Sequence, residues 1–253
     1  MHPKWIHRFE LKPGKWVFHP SAEAKDAGRK IKAEVDAVWT PPDYFYHLRA
    51  GGHVRALQAH LGNSSFLHLD IRDFFGSVSR SRVTRCLSTC FGYSRAREMA
   101  NNSTVQHPMV KGKYMLPYGF VQSPILASLA FANSALGTRI GQLAADPNFA
   151  VSVYVDDIVV SSRDDASLAE RLPELAIAAT RSHFELNEAK QEGPASRVTA
   201  FNIDLTHAVL ALHQDRLKVF RDLFNSSDNE QQKNGILGYV LSVNTAQATE
   251  LSS

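Results

Sequence analysis

The stretch FLHLDI at 66–71 sets Leu67, Leu69 and Ile71 against Phe66, His68 and Asp70. That two-residue period is a strand with an acidic residue near its end. Residues 151–160 read VSVYVDDIVV, two runs that are β-branched or aromatic apart from Ser152, with only Asp156 and Asp157 left to turn the chain between them. Helical patterning begins at Ser21, a natural N-cap, and runs to about Val38, with Ile31 and Val35 on one face and Lys25, Arg29, Lys30 and Lys32 around it. Pro41 and Pro42 stop it. Further helices are predicted over 52–60, over 80–90 behind Ser79, over 124–145 behind Ser123, and over 166–183. Gly62 and Asn63 turn into the first strand, and RVTAFNIDL at 197–205 is strand-like. Segment 1–20, with prolines at 3, 13 and 20, reads as irregular, and 91–115 as a loop or hairpin. One or two helices are expected in 214–253, ending in a poorly ordered tail.

The turn at Asp156 and Asp157 breaks a local rule. Two-residue hairpin turns favour Asn-Gly or Asp-Gly, because both central residues often need positive φ. Asp-Asp offers no glycine and sets two like charges beside buried strands, and such breaches concentrate at functional sites. Paired carboxylates without a basic neighbour suit a divalent metal; a solvated turn is the plain alternative. Asp70 and Asp73 form a second acidic cluster, and Ser79 is better placed than either to cap the helix that follows. If the Asp70 strand pairs beside the hairpin, Asp70 and Asp156 share a pocket. Two Mg²⁺ ions held roughly 3.5–4 Å apart by such carboxylates activate a hydroxyl and stabilise a leaving oxygen in phosphoryl transfer. In the third informative stretch, LPYGFVQSP, Gly119 permits close backbone approach. The helix behind it is rich in small residues, so a bulky group can lie against it.

A chain of 253 residues can bury one large core or two small ones. No apolar run approaches 18 residues and the first residues lack the apolar core of a signal peptide, so the expected compartment is the cytoplasm, with no membrane partner. Cys86 and Cys90 read as reduced residues of one helix. The net charge of +3 is uneven: residues 1–60 hold ten Lys/Arg against six Asp/Glu. Basic groups beside an acidic centre suit a nucleic-acid enzyme, with cations on phosphates and acids on metal.

LDIRDFFGSV (69–78), LPYGFVQSPILASL (116–129) and YVDD (154–157) resemble, in order and spacing, the three central palm motifs of reverse transcriptases. YFYHLRAGGHVRALQAH (44–60) resembles the fingers segment of bacterial members related to retrons and group II introns. LNEAK (186–190) resembles the motif that carries a lysine, and FNIDL (201–205) the strand near the primer. The likeness spans roughly 10–205, and its wording is similar to that of defence-associated, abortive-infection-type enzymes.

The resemblance implies an α+β right-hand polymerase fold: fingers over 1–65, a palm of antiparallel sheet and helices over 66–205 with an inserted fingers segment near 91–120, and a short or vestigial thumb over 206–253. It implies an RNA-directed DNA polymerase using two Mg²⁺, or Mn²⁺, in a bacterial anti-phage system. Asp70, Asp156 and Asp157 match the metal ligands, with the Ile71 carbonyl as a further ligand. Phe75 matches the steric gate against a ribose 2′-OH, and Lys190 the lysine that protonates or neutralises pyrophosphate. Arg72 and Asp73 match the triphosphate site, Asp73 through its backbone amide, and Lys30 or Lys32 could reach the phosphates from the fingers. Tyr118, Gly119 and Gln122 complete the expected substrate contacts, although the family often has glutamine where Tyr118 stands.

Implied partners are an RNA template or structured noncoding RNA, the DNA product and dNTPs. About 48 residues follow FNIDL, so a second subunit or homo-oligomer would compensate for the short thumb. Two alternatives stay open: a template-independent or protein-primed DNA polymerase of this fold, and a non-catalytic RNA-binding scaffold.

Overall fold

A computed structural model of the chain describes residues 4–252; Pro3 and Ser253, both included in the expectations above, lie outside them. Two antiparallel strands, β1 (Trp5–Lys12) and β2 (Lys15–Pro20), precede α1 (Ala22–Val38). Then come α2 (Gly52–Gln58), β3 (Ser65–Asp70), a one-turn α3 (Phe74–Ser77) and α4 (Arg80–Ser103). A small hairpin, β4 (Val105–Gln106) and β5 (Tyr114–Met115), leads to α5 (Ser123–Ala132), α6 (Ala135–Ala145), β6 (Phe149–Tyr154), β7 (Asp157–Ser162) and α7 (Asp165–Arg181). Short strands follow as β8 (Glu192–Ala195), β9 (Arg197–Ala200), β10 (Ile203–Thr206) and β11 (Val209–Leu212), before α8 (Gln214–Ser226), α9 (Glu230–Val243) and α10 (Thr245–Ser252).

The centre is a four-stranded sheet in the order β6-β7-β3-β8, with β3, β6 and β8 each antiparallel to its neighbour. Alternation decides its two faces. Leu67, Leu69, Val151, Val153, Ile158 and Val160 enter the larger core with Leu126, Phe131, Leu168 and Leu175 of α5 and α7. Phe66 and Val159, on the opposite face, join a second core with Leu57 and the β9–β11 meander. Asp70 and Asp157 fall on this second face by the same alternation, paired with each other at one end of β3 and β7.

Several expected elements take a different form. Residues 4–20 are a hairpin rather than irregular: its turn falls at Pro13 and Gly14 (φ +80°), Pro20 closes the second strand, and Phe18 is fully buried. Prolines at a turn and a strand end are compatible with pairing. Helix α4 continues beyond Cys90, through a break at Gly92, because Ala96, Met99 and Ala100 repeat at helical spacing and are buried. The expected helix over 124–145 is two helices. Ser134 caps the second (Gly137 N–H to Ser134 Oγ, 3.0 Å), and a Cβ on Gly137 would stand 2.0 Å from the Phe131 carbonyl oxygen. Ser123 is not the cap of the first; its hydroxyl donates to the Pro117 carbonyl at 2.7 Å. RVTAFNIDL is a hairpin whose turn residues Phe201 and Asn202 have φ of +58° and +60°. Residues 245–252 form a helix with Ala248 and Leu251 buried, not a loose tail.

Candidate active site

The hairpin turn is made by Val155 and Asp156, one residue earlier than expected. Asp157 already belongs to β7, paired with Tyr154 on one side and Asp70 on the other. The positive φ falls on Val155 (+59°), an unfavourable conformation for a β-branched residue. The Ile71 N–H donates to the Asp156 carbonyl at 2.8 Å, tying the end of β3 to the turn. Ile71 itself is buried, so what it offers the site is its backbone.

These pairings gather three carboxylates. Asp70, 3 % exposed, accepts from Lys190 Nζ at 2.6 Å and from Asn187 Nδ2 at 3.0 Å. Asp157 is held by His68 Nε2 at 2.8 Å. Among the described residues no cation is bonded to Asp156, although the field of Lys15 reaches it. Burial, then Asp157 and Asp70, push its carboxyl up to about 6. Burial lowers the Lys190 ammonium, but the Asp70 contact and the fields of Asp157 and Asp156 outweigh it and hold its pKa above the ordinary lysine value. Among the described residues no group of three or more acidic, histidine or cysteine side chains already closes into a metal site, and Lys190 and His68 hold two of the carboxylates. The donor set nevertheless fits a hard divalent cation. It is all oxygen, and Asp156, raised first by burial and then by Asp157 and Asp70, sits where a cation would offset both the lost solvation and the like charges.

Phe75 and Tyr118 form one wall, their ring centroids 4.6 Å apart. Burial and the fields of Asp156, Asp73 and Asp70 raise the Tyr118 hydroxyl, so it stays protonated. Lys15 Nζ lies 4.3 Å from the centre of the Tyr118 ring. Strand β2 brings it there: Phe18 N–H donates to the Tyr118 carbonyl at 2.9 Å, and Gly119 (φ +100°) leaves room for the approach. Gly119 therefore faces the N-terminal hairpin, not an open substrate space. Asp73 adopts φ +44°, and burial raises its carboxyl against the opposing pull of Lys113, the Gly76 amide, His107 and Lys15. Arg72 pairs with Glu185 at 2.7 Å in solvent.

One expectation is corrected. Gln122 is 1 % exposed and turned inward, with Nε2 3.4 Å from Ser103 Oγ and its amide packed on Gly28, so it is an interior residue. Lys32 pairs with Asp36 at 2.5 Å, and Lys15 and Lys113 are lysines whose fields act on Asp73, Lys15 also on Asp156.

Sequence reasoning missed three histidines. His47 Nδ1 accepts the Val155 N–H at 3.0 Å, which puts its proton on Nε2, 2.7 Å from Ser128 Oγ; burial lowers its pKa to about 4. The buried His60 joins Ser161 (2.7 Å) and Ser152 (2.8 Å) on the two hairpin strands. His68 holds Asp157. For His68, facing Asp70's side of β3 was an available signal; His47 and His60 act across gaps of 81 to 108 residues that no local pattern reveals.

A family model described as reverse transcriptase (RNA-dependent DNA polymerase) matches residues 11–239. The chain belongs to this family. Among its relatives, the reverse transcriptase is 28% identical to the retron Mx65 reverse transcriptase of Myxococcus xanthus over 214 residues, which cover 76% of this chain and 49% of that protein. It thus spans about half the length of that relative. The retron Ec86 reverse transcriptase of Escherichia coli is 24% identical over 237 residues, 90% of this chain and 72% of the relative. Two solved structures share the polymerase fold. Telomerase from Candida albicans, in complex with a fragment of telomeric RNA, superposes with a TM-score of 0.54 at 9% identity, over 91% of this chain and 47% of that one. A foamy viral protease-reverse transcriptase bound to double-stranded DNA gives 0.52 at 16% identity, over 92% and 34%.

Proposed function

We propose that this reverse transcriptase is an RNA-directed DNA polymerase that adds dNTPs to a primer 3′-hydroxyl. The observation that carries the reading is the meeting of Asp70, Asp156 and Asp157 at one end of two paired strands, with Asp156 pushed up to about 6 by burial and its acidic neighbours. Asp70, Asp156, Asp157 and the Ile71 carbonyl would hold two Mg²⁺ or Mn²⁺. Such ions, when bound, activate an attacking hydroxyl and stabilise the leaving oxygen. Lys190, kept protonated beside Asp70, would neutralise or protonate pyrophosphate. Lys15, Lys113, Arg72 and the Asp73 amide would take the triphosphate, and the Phe75–Tyr118 wall would exclude a 2′-hydroxyl. Catalysis is then mainly positioning and electrostatics.

In this reading residues 1–65 are fingers, 66–205 palm with inserted fingers at about 91–120, and 206–253 a thumb-like segment. Among the described residues no helix is long and apolar enough to cross a membrane. A cytoplasmic anti-phage role with a structured RNA as partner is part of the proposal, supported by the similarity to two retron reverse transcriptases, and a second subunit or second copy would compensate for the short thumb-like segment. The test is extension of an oligo(dT) primer on poly(rA) with each dNTP supplied separately. Incorporation of dTTP alone supports templated synthesis. Equal use of all four dNTPs would move the assignment to a template-independent polymerase, a reading that Tyr118 in place of the usual glutamine favours.

A further inference from the structure

Behind the palm, away from the carboxylates, lies a cavity of about 650 Å³ whose walls include Arg82, Arg85, Arg181 and His183 and no Asp or Glu. A run of ring contacts from Tyr118 through Phe75 and Phe74 to Phe184 separates the two sites, and Arg82 lies over Phe184 at 4.3 Å on the far side. Several arginines elsewhere in the chain are neutralised: Arg72, Arg95, Arg139, Arg171, Arg197 and Arg221 each meet a carboxylate. Among the described residues, none of the three cavity arginines does. Burial lowers the Arg82 guanidinium, with Cys86 opposing and Arg85 adding a smaller effect in the same direction; burial raises the Cys86 thiol and so keeps it neutral.

Two helix starts also face this space. Ser79, N-cap of α4, and Ser134, N-cap of α6, both line it; their hydroxyls cap the Arg82 and Gly137 amides, so the two helix dipoles, rather than free N–H groups, add to the three guanidinium groups. Fixed positive charge, hydroxyls and helix N-termini together recognise phosphate. The lining holds no Phe, Tyr or Trp and only His183 as a ring, so the contact would be mainly to the sugar-phosphate backbone, with little dependence on sequence.

We infer that this cavity grips the phosphates of a single-stranded segment of RNA that runs outside the carboxylate site. The inference rests on the proposed function only in choosing RNA as the occupant. It gives the protein a second hold on its RNA, on a different face from the primer terminus.

The experiment measures anisotropy of a short fluorescein-labelled single-stranded RNA of mixed sequence across a salt series. It compares wild type, the exposed pair R85Q/R181Q, and K25Q/R29Q on the outer face of α1 as a control of equal charge change. Losing two phosphate contacts should flatten the log–log salt slope by about 1.4 and weaken binding roughly 25-fold near 0.1 M salt. The control pair should leave the slope unchanged. An unaltered slope in R85Q/R181Q overturns the inference, as does an equal change in both pairs. If that variant instead keeps RNA binding but loses thermal stabilisation by pyrophosphate, the cavity takes a small anion and the RNA assignment falls. Primer extension measured on the same preparations tests the polymerase reading separately, because binding is read without turnover.

Discussion

Replacing Asp156 by asparagine should stabilise the metal-free protein while removing a ligand the chemistry needs. Burial, Asp157 and Asp70 lift this carboxyl from 3.8 to about 6 in the fold. The folded state therefore holds the proton more tightly than the unfolded chain. Below 3.8 both states are protonated and no cost arises. Between the two values the unfolded chain ionises first, so stability falls as pH rises, and above about 6 the full cost is present. Two pKa units correspond to about 3 kcal/mol at neutral pH, at roughly 1.36 kcal/mol each. For a chain of this size that is a gain of about 6–12 °C in Tm for D156N. Thermal unfolding in EDTA at pH 7.5 should show it, and at pH 5 the difference should shrink to about half. Mg²⁺ should then raise the Tm of wild type but not of D156N. A D156N protein no more stable than wild type at pH 7.5, or a gain independent of pH, would refute the reasoning.

Other outcomes follow from the same contacts. His47→Ala removes the acceptor of the Val155 N–H; at about 1–3 kcal/mol for an unsatisfied donor, kcat should fall roughly 5- to 150-fold with little change in the KM for dNTP, and an unchanged kcat would deny His47 a part in shaping the turn. Lys190→Met frees Asp70 from its cation. Mg²⁺ affinity, read by calorimetry, should rise even as pyrophosphate-forming turnover falls, and weaker Mg²⁺ binding would contradict competition between lysine and metal. Gly119→Ala sets a Cβ 2.2 Å from the Phe18 carbonyl oxygen at φ +100°. It should lower stability by about 2 kcal/mol or more and expose the β1–β2 hairpin to protease, whereas wild-type resistance would mean that the hairpin does not need this close approach.

The acidic cluster was legible because the evidence is local: alternation puts Asp70 at the end of its strand, and an Asp-Asp pair beside buried strands breaks a turn rule; that Asp157 belongs to β7 and not to the turn was not. The register that joins them, Asp70 opposite Asp157, is long-range but follows from burying the Leu67 and Leu69 face. What was not legible depends on distant partners. Prolines masked the N-terminal hairpin, which is held by a backbone bond from Phe18 to Tyr118. The break between α5 and α6 is hidden in a run of small residues, where Ser134 and Gly137 decide it only by meeting Phe131. Gln122 resembled a substrate contact by its place in the motif, yet its direction is set by α1 and α4, which close over it.

The most direct test of the central claim is RNA-templated primer extension with Mg²⁺ and dNTPs by wild type, D70N and D156N, each verified as folded by its unfolding transition. Template-directed DNA from wild type, reduced by orders of magnitude in both variants, is the predicted result. Extension by either variant at the wild-type rate would contradict the assignment of these carboxylates as the metal-holding centre.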